Sequence, residues 1–280
     1  MLRGGLRSSP TATPYRELMM KPNIIREKLN AGEPTIGTRI HSHWPAIIEA
    51  IGHTGVYDYV EYVGEYGTFD LHDLDNMCRA AELYGMGMMF KIDKSHQHYL
   101  AQRALGSGFT SILFTDCRTA EDAAECVRIT QPDTPEDGGL YSVYTRRNTY
   151  MGYGGGPDYV EAMRNTVVNL MIEKKEAVEN IEEILSVEGV DMIQWGPSDY
   201  SMSVGLAGQR NDPSVLDAKK EVFKTALNMG VQPRAEIMSP DDAKEYLDMG
   251  VKHFNMGVDI SVLYSWWKGN GEELRKAVGG

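Results

Sequence analysis

The sequence alternates short apolar runs with amphipathic helical segments from residue 35 onward, and this alternation constrains the fold more than any other feature. Most of the runs are almost continuously apolar, which is typical of parallel strands covered on both faces. The predicted strands span residues 35–42, 57–63, 87–92, 111–114, 167–173, 191–197, 232–237 and 252–258. Eight strands that alternate with helices predict an α/β fold, a single (β/α)₈ TIM barrel over residues 22–280. A helix over residues 22–32 is expected to plug or flank the first strand, and residues 1–21 are expected to form a disordered or extended tail.

Composition and charge exclude several classes of protein. The formal net charge is -12 at pH 7 and no stripe of Lys and Arg is present, so we expect no nucleic-acid partner. No apolar run reaches the roughly 18 residues that a membrane-spanning helix needs, and the N-terminal segment lacks the apolar core of a secretory signal. The three cysteines lack the paired spacing of zinc sites, which predicts reduced thiols. We therefore expect a cytoplasmic protein with no membrane partner.

Two carboxylates lie where neighbouring predicted strands end. Glu173 ends the strand over 167–173, and Asp199 follows the strand over 191–197. The segment 174–185 between them carries its apolar residues on one helical face. Because a right-handed strand–helix–strand crossover puts both strand ends on the same edge of the sheet, Glu173 and Asp199 should converge.

Two carboxylates that converge in a pocket repel each other, so either one is protonated or a cation lies between them. Oxygen ligands suit a hard divalent ion, here Mg²⁺ or Mn²⁺, with Co²⁺ as a further candidate. The alternative is structural. In that case Ser198 or Asp199 caps the next helix, and Glu173 is merely solvated at a strand end.

Other polar side chains also fall at the ends of predicted strands. They are Arg39, His41, Glu65, Tyr66, Lys91, Asp93, Glu236 and Asn255. In (β/α)₈ barrels the catalytic groups come from the carboxyl ends of several strands. For any one of these residues taken singly, an ion pair or a loop contact is the simpler explanation, but their number at one face favours a functional site.

A segment rich in glycine and tyrosine, residues 131–157, interrupts the alternation. A loop of this length inside a compact domain predicts a lid or an inter-subunit loop, or else a poorly ordered segment. Its glycine run does not follow a predicted strand, so it is not interpreted as a phosphate-binding loop.

Several short motifs follow one another in the second half of the chain. They are Ile172-Glu173, Val187-Glu188-Gly189-Val190-Asp191, Gly196-Pro197-Ser198-Asp199-Tyr200-Ser201 and Gly205-Leu206-Ala207-Gly208. With Gly64-Glu65, Lys91 and Met256-Gly257-Val258-Asp259 in register, the chain resembles the HpcH/HpaI aldolase/citrate lyase family over residues 24–275. This family comprises metal-dependent pyruvate aldolases of the phosphoenolpyruvate-utilising barrel superfamily.

The resemblance implies roles for particular residues. Glu173 and Asp199 would hold a divalent cation, on which a 2-oxoacid chelates through its carboxylate and keto oxygens. Glu65 would hold a water molecule bound to the metal, and backbone amides in the segment Gly196, Pro197 and Ser198 would bind the substrate carboxylate. The reaction implied is formation of an enolate that attacks an aldehyde, or the reverse cleavage.

The chain departs from the family pattern at three positions. Tyr66 stands where the family has its general-base histidine, and Lys91 stands where an arginine stabilises the enolate oxygen. The aspartate that pairs with the histidine is missing near Leu105 and Gly106. Arg39 could grip a carboxylate, as Lys91 cannot, because a guanidinium binds it through two hydrogen bonds. His41 could accept the proton, although an interior structural imidazole is an equal alternative.

The favoured interpretation is a carbon–carbon lyase acting on a 2-oxoacid and an aldehyde, with Lys91 or Arg39 stabilising the enolate and His41 or Tyr66 moving the proton. The alternatives are another metal–enolate reaction, such as decarboxylation, isomerisation or hydrolysis, or a metal-binding barrel without turnover. The resemblance also implies a homo-oligomer, a hexamer built as a trimer of dimers, with the last helix exchanged between subunits. Residues 260–267 are the candidate interface because exposed paired tryptophans are otherwise unfavourable.

Overall fold

The computed structural model describes residues 22–143 and 155–279, and its sheet is a closed barrel of eight parallel strands. The strands are β1 (Thr35–Ile40), β2 (Tyr59–Val63), β3 (Gly87–Ile92), β4 (Ser111–Phe114), β5 (Val167–Ile172), β6 (Met192–Trp195), β7 (Gln232–Ile237) and β8 (His253–Val258). Each strand pairs with the next in the chain, and β8 pairs with β1. The predicted single (β/α)₈ barrel is therefore confirmed. The tail over residues 1–21 and most of the glycine-rich loop lie outside the described residues.

Twelve α-helices of the described ranges connect and surround the strands. They are α1 (Ile24–Ala31), α2 (Pro45–His53), α3 (Leu71–Glu82), α4 (Gln97–Ser107), α5 (Ala120–Thr130), α6 (Pro157–Arg164), α7 (Lys175–Glu179), α8 (Ile181–Leu185), α9 (Pro197–Ser203), α10 (Pro213–Asn228), α11 (Ala243–Asp248) and α12 (Asp259–Ala277). The helix predicted over 174–185 is divided at Asn180, whose side-chain amide donates to the Arg118 carbonyl at 3.0 Å. Asparagine side chains bond readily to nearby backbone and so interrupt helices.

Helix α1 closes the amino-terminal end of the barrel. Ile25 is fully buried in a separate apolar cluster whose other members are inward-facing strand residues. Those residues are Tyr59, Met89, Leu113, Val167, Met171 and Met192. Asn23 caps the helix, and the Arg26 guanidinium binds both Asp191 carboxylate oxygens at 2.5 and 2.6 Å. Helix α1 is therefore a plug, one of the two arrangements expected for it.

The barrel interior above this plug is charged. Arg234 of β7 is fully buried and donates to the Glu61 carboxylate at 2.5 Å, to the Tyr59 hydroxyl at 3.2 Å and to the Gln194 side chain. Asn255 donates to the same Glu61 oxygen at 2.6 Å. A buried charge is tolerated only when it is paired and hydrogen-bonded, so these partners are what allow Arg234 to occupy the barrel axis.

None of the helices in residues 22–143 and 155–279 is long and apolar enough to cross a bilayer. The three cysteines, at positions 78, 117 and 126, are buried free thiols. Burial raises the pKa of the Cys117 thiol to about 12, which keeps it protonated and unreactive at neutral pH.

Candidate active site at the carboxyl end of the barrel

The carboxyl ends of the strands bring the predicted site residues to one face. Glu173 directly follows β5, and Asp199 lies in the first turn of α9, which begins two residues after β6 ends. Lys91 is the penultimate residue of β3, and Arg39 is the penultimate residue of β1. The polar residues singled out in the sequence therefore surround one barrel mouth.

Glu173 is held rigidly by its two neighbouring loops. Its Oε1 accepts a hydrogen bond from the Asp116 amide at 2.8 Å, and the side chain is 5% exposed. Its other side packs on Gly196, where an added Cβ would lie 2.5 Å from the Glu173 Cβ and 2.7 Å from Oε2. Only glycine leaves room for this carboxylate, which gives a physical reason for the glycine in the motif after β6.

Asp116 has a left-handed backbone, with φ at 53°, and is the one non-glycine residue in the described ranges with positive φ. Aspartate tolerates this region better than most residues, because its short side chain bonds locally. Its carboxylate pairs with Arg118, whose Nε lies 3.0 Å away. The strained conformation coincides with the amide that binds Glu173, so Asp116 positions that carboxylate.

The second predicted ligand, Asp199, accepts a hydrogen bond on Oδ1 from the Lys174 ammonium at 2.7 Å. Lys174 also lies 3.9 Å from an Asp116 oxygen. Burial raises the pKa of Glu173 above its ordinary value. The Asp116 amide and Lys91 oppose that rise, and the Asp199 charge adds to it. Glu173 and Asp199 thus follow the neighbouring parallel strands β5 and β6 at the same end of the barrel.

The two carboxylates suit a hard divalent cation. Within the described chain each keeps one oxygen free of hydrogen bonds to protein, Oε2 of Glu173 and Oδ2 of Asp199. Across residues 22–143 and 155–279, no three His, Cys, Asp or Glu side chains are grouped to enclose an ion. Two carboxylate ligands would leave the other coordination positions to water or substrate, and Mg²⁺ commonly keeps several waters in this way.

Lys91 is buried beside this pair. Its ammonium lies 2.6 Å from Glu65 Oε2, 3.4 Å from the Tyr66 hydroxyl and 4.8 Å from the centre of the Tyr66 ring. Burial lowers the pKa of Lys91, but the Glu65 carboxylate outweighs it through charge and hydrogen bonding, so the net shift is upward. The site therefore contains a permanent positive charge.

Tyr66 and His41 stand at the rim. Burial of the hydroxyl raises the pKa of Tyr66, an effect that Lys91 only partly offsets, so the phenol is neutral at pH 7 and acts as a donor. The His41 ring lies 6.1 Å from the Tyr66 ring in an edge-on arrangement. The His41 amide donates to Asp259 Oδ1 at 2.9 Å, which fixes the loop after β1.

Arg39 already has a carboxylate partner. Its Nη1 donates to Glu236 Oε1 at 2.5 Å, and the same oxygen accepts from Gln194 at 2.6 Å. The sequence suggests that Arg39 could bind a substrate carboxylate, with an ion pair as the simpler explanation, and the structure shows the ion pair. Glu236 carried a usable signal, since it lies two residues after Arg234 and so faces the same side of β7.

The loop after β6 offers fewer donors than the resemblance implies. The Gly196 amide donates to the Ile172 carbonyl at 3.0 Å in the barrel ladder, and Pro197 has no amide hydrogen. Of the three residues assigned to substrate binding, Ser198 alone presents an amide free for a ligand within the described chain. The sequence also missed Asp116 and Lys174, although Asp116 follows β4 as other site residues follow their strands.

Comparisons with known proteins bear on the family and the fold of the chain. The family model for HpcH/HpaI aldolase/citrate lyase matches residues 40–265. The 5-keto-4-deoxy-D-glucarate aldolase of Klebsiella pneumoniae is 29% identical over 247 residues, which cover 87% of this chain and 93% of that protein.

Solved structures give the same result. An HpcH/HpaI aldolase/citrate lyase family protein from Burkholderia cenocepacia superposes with a TM-score of 0.81 at 26% identity, and covers 91% of this chain and 100% of that chain. The citrate lyase beta subunit of M. tuberculosis, complexed with oxaloacetate and magnesium, has a TM-score of 0.56 at 11% identity, covers 84% and 95% of the two chains, and shows the fold alone. The family match spans most of the barrel, and the chain belongs to the HpcH/HpaI aldolase/citrate lyase family.

Proposed function

We propose that this protein is a metal-dependent carbon–carbon lyase that makes or breaks the bond between C3 of a 2-oxoacid and the carbonyl carbon of an aldehyde. The observation that supports the proposal is the position of Glu173 and Asp199 after neighbouring strands, at the barrel mouth that also contains the buried Lys91 ammonium. The magnesium in the M. tuberculosis relative supports the choice of a divalent ion, Mg²⁺ or Mn²⁺ with Co²⁺ as an alternative.

Glu173 and Asp199 are the residues that would hold this cation. When bound, it would supply Lewis acidity that draws electrons from the keto group of the oxoacid and so acidifies C3. The Asp116 amide and Gly196 fix Glu173 in place, so the ligand needs little reorganisation on binding. Glu65 orients Lys91 through their ion pair, and it lies where it could also hold a water molecule.

Lys91 favours negative charge on the keto oxygen, because its ammonium is buried and permanently protonated. His41 takes the proton from C3, and the electron pair left at C3 forms the new bond to the aldehyde carbon. Tyr66, which is neutral, donates its proton to the oxygen of that aldehyde. Cleavage is the reverse sequence, and the Ser198 amide binds the substrate carboxylate.

Proton exchange at C3 of pyruvate tests this proposal without knowledge of the aldehyde. In D₂O with Mg²⁺, the methyl signal of pyruvate should disappear from the proton NMR spectrum as deuterium replaces hydrogen. Glu173→Gln should slow the exchange by more than about 100-fold, since even residues that merely support metal ligands contribute 10–100-fold. Glu176→Gln, in the exposed first turn of α7, is the control and should retain the full rate. Equal exchange rates in the Glu173 variant and the wild type would exclude the proposed site.

A second reaction, decarboxylation of an oxoacid with a β-carboxylate, is favoured by one observation. His41 accepts and donates no side-chain hydrogen bond within the described chain, so no carboxylate orients it as a base. Decarboxylation needs no base at C3, because the departing CO₂ leaves its electron pair there. Release of CO₂ from oxaloacetate without methyl exchange of pyruvate would support this second candidate over the lyase.

We also propose that α12 is an inter-subunit element in a homo-oligomer, a hexamer formed as a trimer of dimers. Tyr264, Trp266 and Trp267 are each more than 60% exposed, and α12 buries none of its side chains in the described chain. Apolar helix faces of this kind normally pack on another surface. In sedimentation velocity the wild-type particle should have a mass above the 31.2 kDa of one chain. The double variant Trp266→Glu, Trp267→Glu should sediment as a smaller species. A wild-type monomer would contradict this.

A further inference from the structure

Lys174 places a positive charge among the carboxylates of the candidate site. It directly follows Glu173 in the chain, and its ammonium lies 2.7 Å from Asp199 Oδ1 and 3.9 Å from Asp116 Oδ1. The side chain is 18% exposed, so protein atoms replace much of the water that would screen its charge. Lys174 therefore acts at short range on Asp199, one of the two proposed metal ligands.

The charge of Lys174 also reaches the other proposed ligand, Glu173. Burial lowers the pKa of Lys174, but its hydrogen bond to Asp199 and the charge of that carboxylate outweigh this effect. The charges of Glu173 and Asp116 raise the pKa further. Three carboxylates therefore stabilise the ammonium in its charged form.

The local balance of charge shows what Lys174 changes. Asp116 is compensated by Arg118 at 3.0 Å, and the buried lysine of β3 is compensated by its own glutamate partner. One net negative charge remains, from Glu173 and Asp199 against Lys174. A divalent ion would turn this into one net positive charge, which the single negative charge of a 2-oxoacid would neutralise. Without Lys174 the two carboxylates would neutralise the ion by themselves.

Asp199 has room for both the lysine and a metal ion. Lys174 donates to Oδ1, whereas Oδ2 accepts no hydrogen bond within the described chain. A cation on Oδ2 and the ammonium on Oδ1 would share one carboxylate, and two positive charges at this separation repel each other. Lys174 therefore opposes the cation through its charge, whereas Asp116 supports the site through a backbone amide.

We propose that Lys174 is a positioning residue that acts through Asp199 and couples metal binding to substrate binding. It weakens binding of the cation alone and makes tight binding depend on the negative charge of the oxoacid. The inference rests on the proposed metal-dependent function and adds a form of regulation to it. Because such coupling is reciprocal, the metal and the oxoacid each raise the affinity for the other by the same factor.

The affinity for Mn²⁺, measured by electron paramagnetic resonance with and without saturating pyruvate, tests the inference. In the wild type, pyruvate should tighten Mn²⁺ binding at least about tenfold. Lys174→Met should bind Mn²⁺ alone at least about tenfold more tightly than the wild type, and pyruvate should then add about threefold or less. Lys175→Met removes the same charge from a side chain that is 63% exposed and lies beside Glu179. This control should bind Mn²⁺ within about twofold of the wild type, because solvent and salt screen an exposed charge.

Lys174→Arg keeps the positive charge and should retain both the wild-type Mn²⁺ affinity and the effect of pyruvate. A purely structural role of Lys174 predicts the opposite sign for Lys174→Met, since loss of a contact that holds Asp199 would weaken binding. Unchanged or weaker Mn²⁺ binding in Lys174→Met would therefore overturn the inference and leave the proposed function standing. Binding by Lys174→Met alone would support the inference and contradict a metal-dependent wild type. No binding by any of these proteins would overturn both.

Discussion

The amino-terminal end of the barrel is lined by apolar side chains and the carboxyl end by charged ones. The amino-terminal end is closed by α1, whose Ile25 packs against apolar residues from five strands. At the carboxyl end, by contrast, the side chains are charged and paired between strands, as Lys91 of β3 with Glu65 after β2 and Arg39 of β1 with Glu236 of β7. Apolar burial stabilises the fold without requiring particular partners. A buried charge, by contrast, is stable only beside a specific partner of opposite charge. The difference assigns stability to one end and chemistry to the other.

A charged layer lies between these two ends. Arg234 and Glu61 are both fully buried, and their pairing is supported by Asn255 and Gln194. This layer is charged like the barrel mouth and buried like the plug. Substitutions in it therefore test whether its charges serve stability or chemistry.

The largest expected effect is in this middle layer. Arg234→Met leaves the Glu61 carboxylate buried and unpaired, so we expect a loss of about 4 kcal/mol in the free energy of unfolding, measured by urea denaturation. The double variant Arg234→Met, Glu61→Leu is the control, since it removes both charges and should recover most of the loss. A single variant that is as stable as the wild type would show that the pair contributes nothing.

The second-largest effect is expected for a substitution in the plug, helix α1. Ile25→Ala should lower the free energy of unfolding by about 3 kcal/mol, because it empties a site that is fully buried among strand residues. Ile36→Ala, at a 42% exposed position of β1, is the matched control and should cost less. At temperatures where the Ile25 variant stays folded, its methyl exchange rate should equal that of the wild type. A lower exchange rate in Ile25→Ala would mean that packing at the amino-terminal end affects the chemistry at the carboxyl end.

At the mouth, a small substitution should affect activity without affecting stability. Gly196→Ala places a methyl group 2.5 Å from the Glu173 Cβ, so Glu173 must move away from its position. We expect pyruvate methyl exchange to fall about 100-fold, equivalent to about 2.7 kcal/mol in the barrier, with little change in melting temperature. Gly269→Ala, on α12, provides the control: it should leave the exchange rate unchanged and should not lower the melting temperature, since alanine suits a helix interior better than glycine. Unaltered exchange in Gly196→Ala would remove the argument for a rigid Glu173.

The smallest expected effect concerns pH at the amino end of β8. Burial, with help from the charges of Lys252 and Arg234, lowers the pKa of His253 to about 4. The unfolded chain therefore binds a proton between pH 6.5 and pH 4 that the folded chain does not, and stability is lost as the pH falls. From pH 7.5 to pH 5 this amounts to about 2 kcal/mol. Between pH 7.5 and pH 5 the free energy of unfolding of His253→Gln should fall by about 2 kcal/mol less than that of the wild type. The control His72→Gln, at an exposed position, should show the wild-type decrease. Parallel pH profiles for all three proteins would contradict the assignment.

The fold was largely predictable, because each buried strand is marked by an apolar pattern in its own residues. Strand β7 was predicted with its observed bounds, and the placement of Glu173 and Asp199 at the same end of the barrel followed from the handedness of one crossover. The break at Asn180 was missed because its cause is a contact with Arg118, which lies far away in sequence.

The partners of the charges were not predictable. Sequence placed Arg39, Lys91 and Glu65 at one face, but which cation meets which carboxylate depends on side-chain conformations that no periodic pattern encodes. Asp116 illustrates the same limit, since it acts through its backbone amide, which every residue except proline has. The residues that act through geometry are therefore found only in the structure.

Binding of Mn²⁺, followed by electron paramagnetic resonance, tests the central claim most directly, because it needs neither substrate nor turnover. We expect one Mn²⁺ bound per chain in the wild type and in Glu176→Gln. Glu173→Gln and Asp199→Asn should each bind at least about 100-fold more weakly, since each removes one of two protein ligands. Wild-type affinity in either of those two variants, or no binding by the wild type, would contradict the claim that these carboxylates hold the cation.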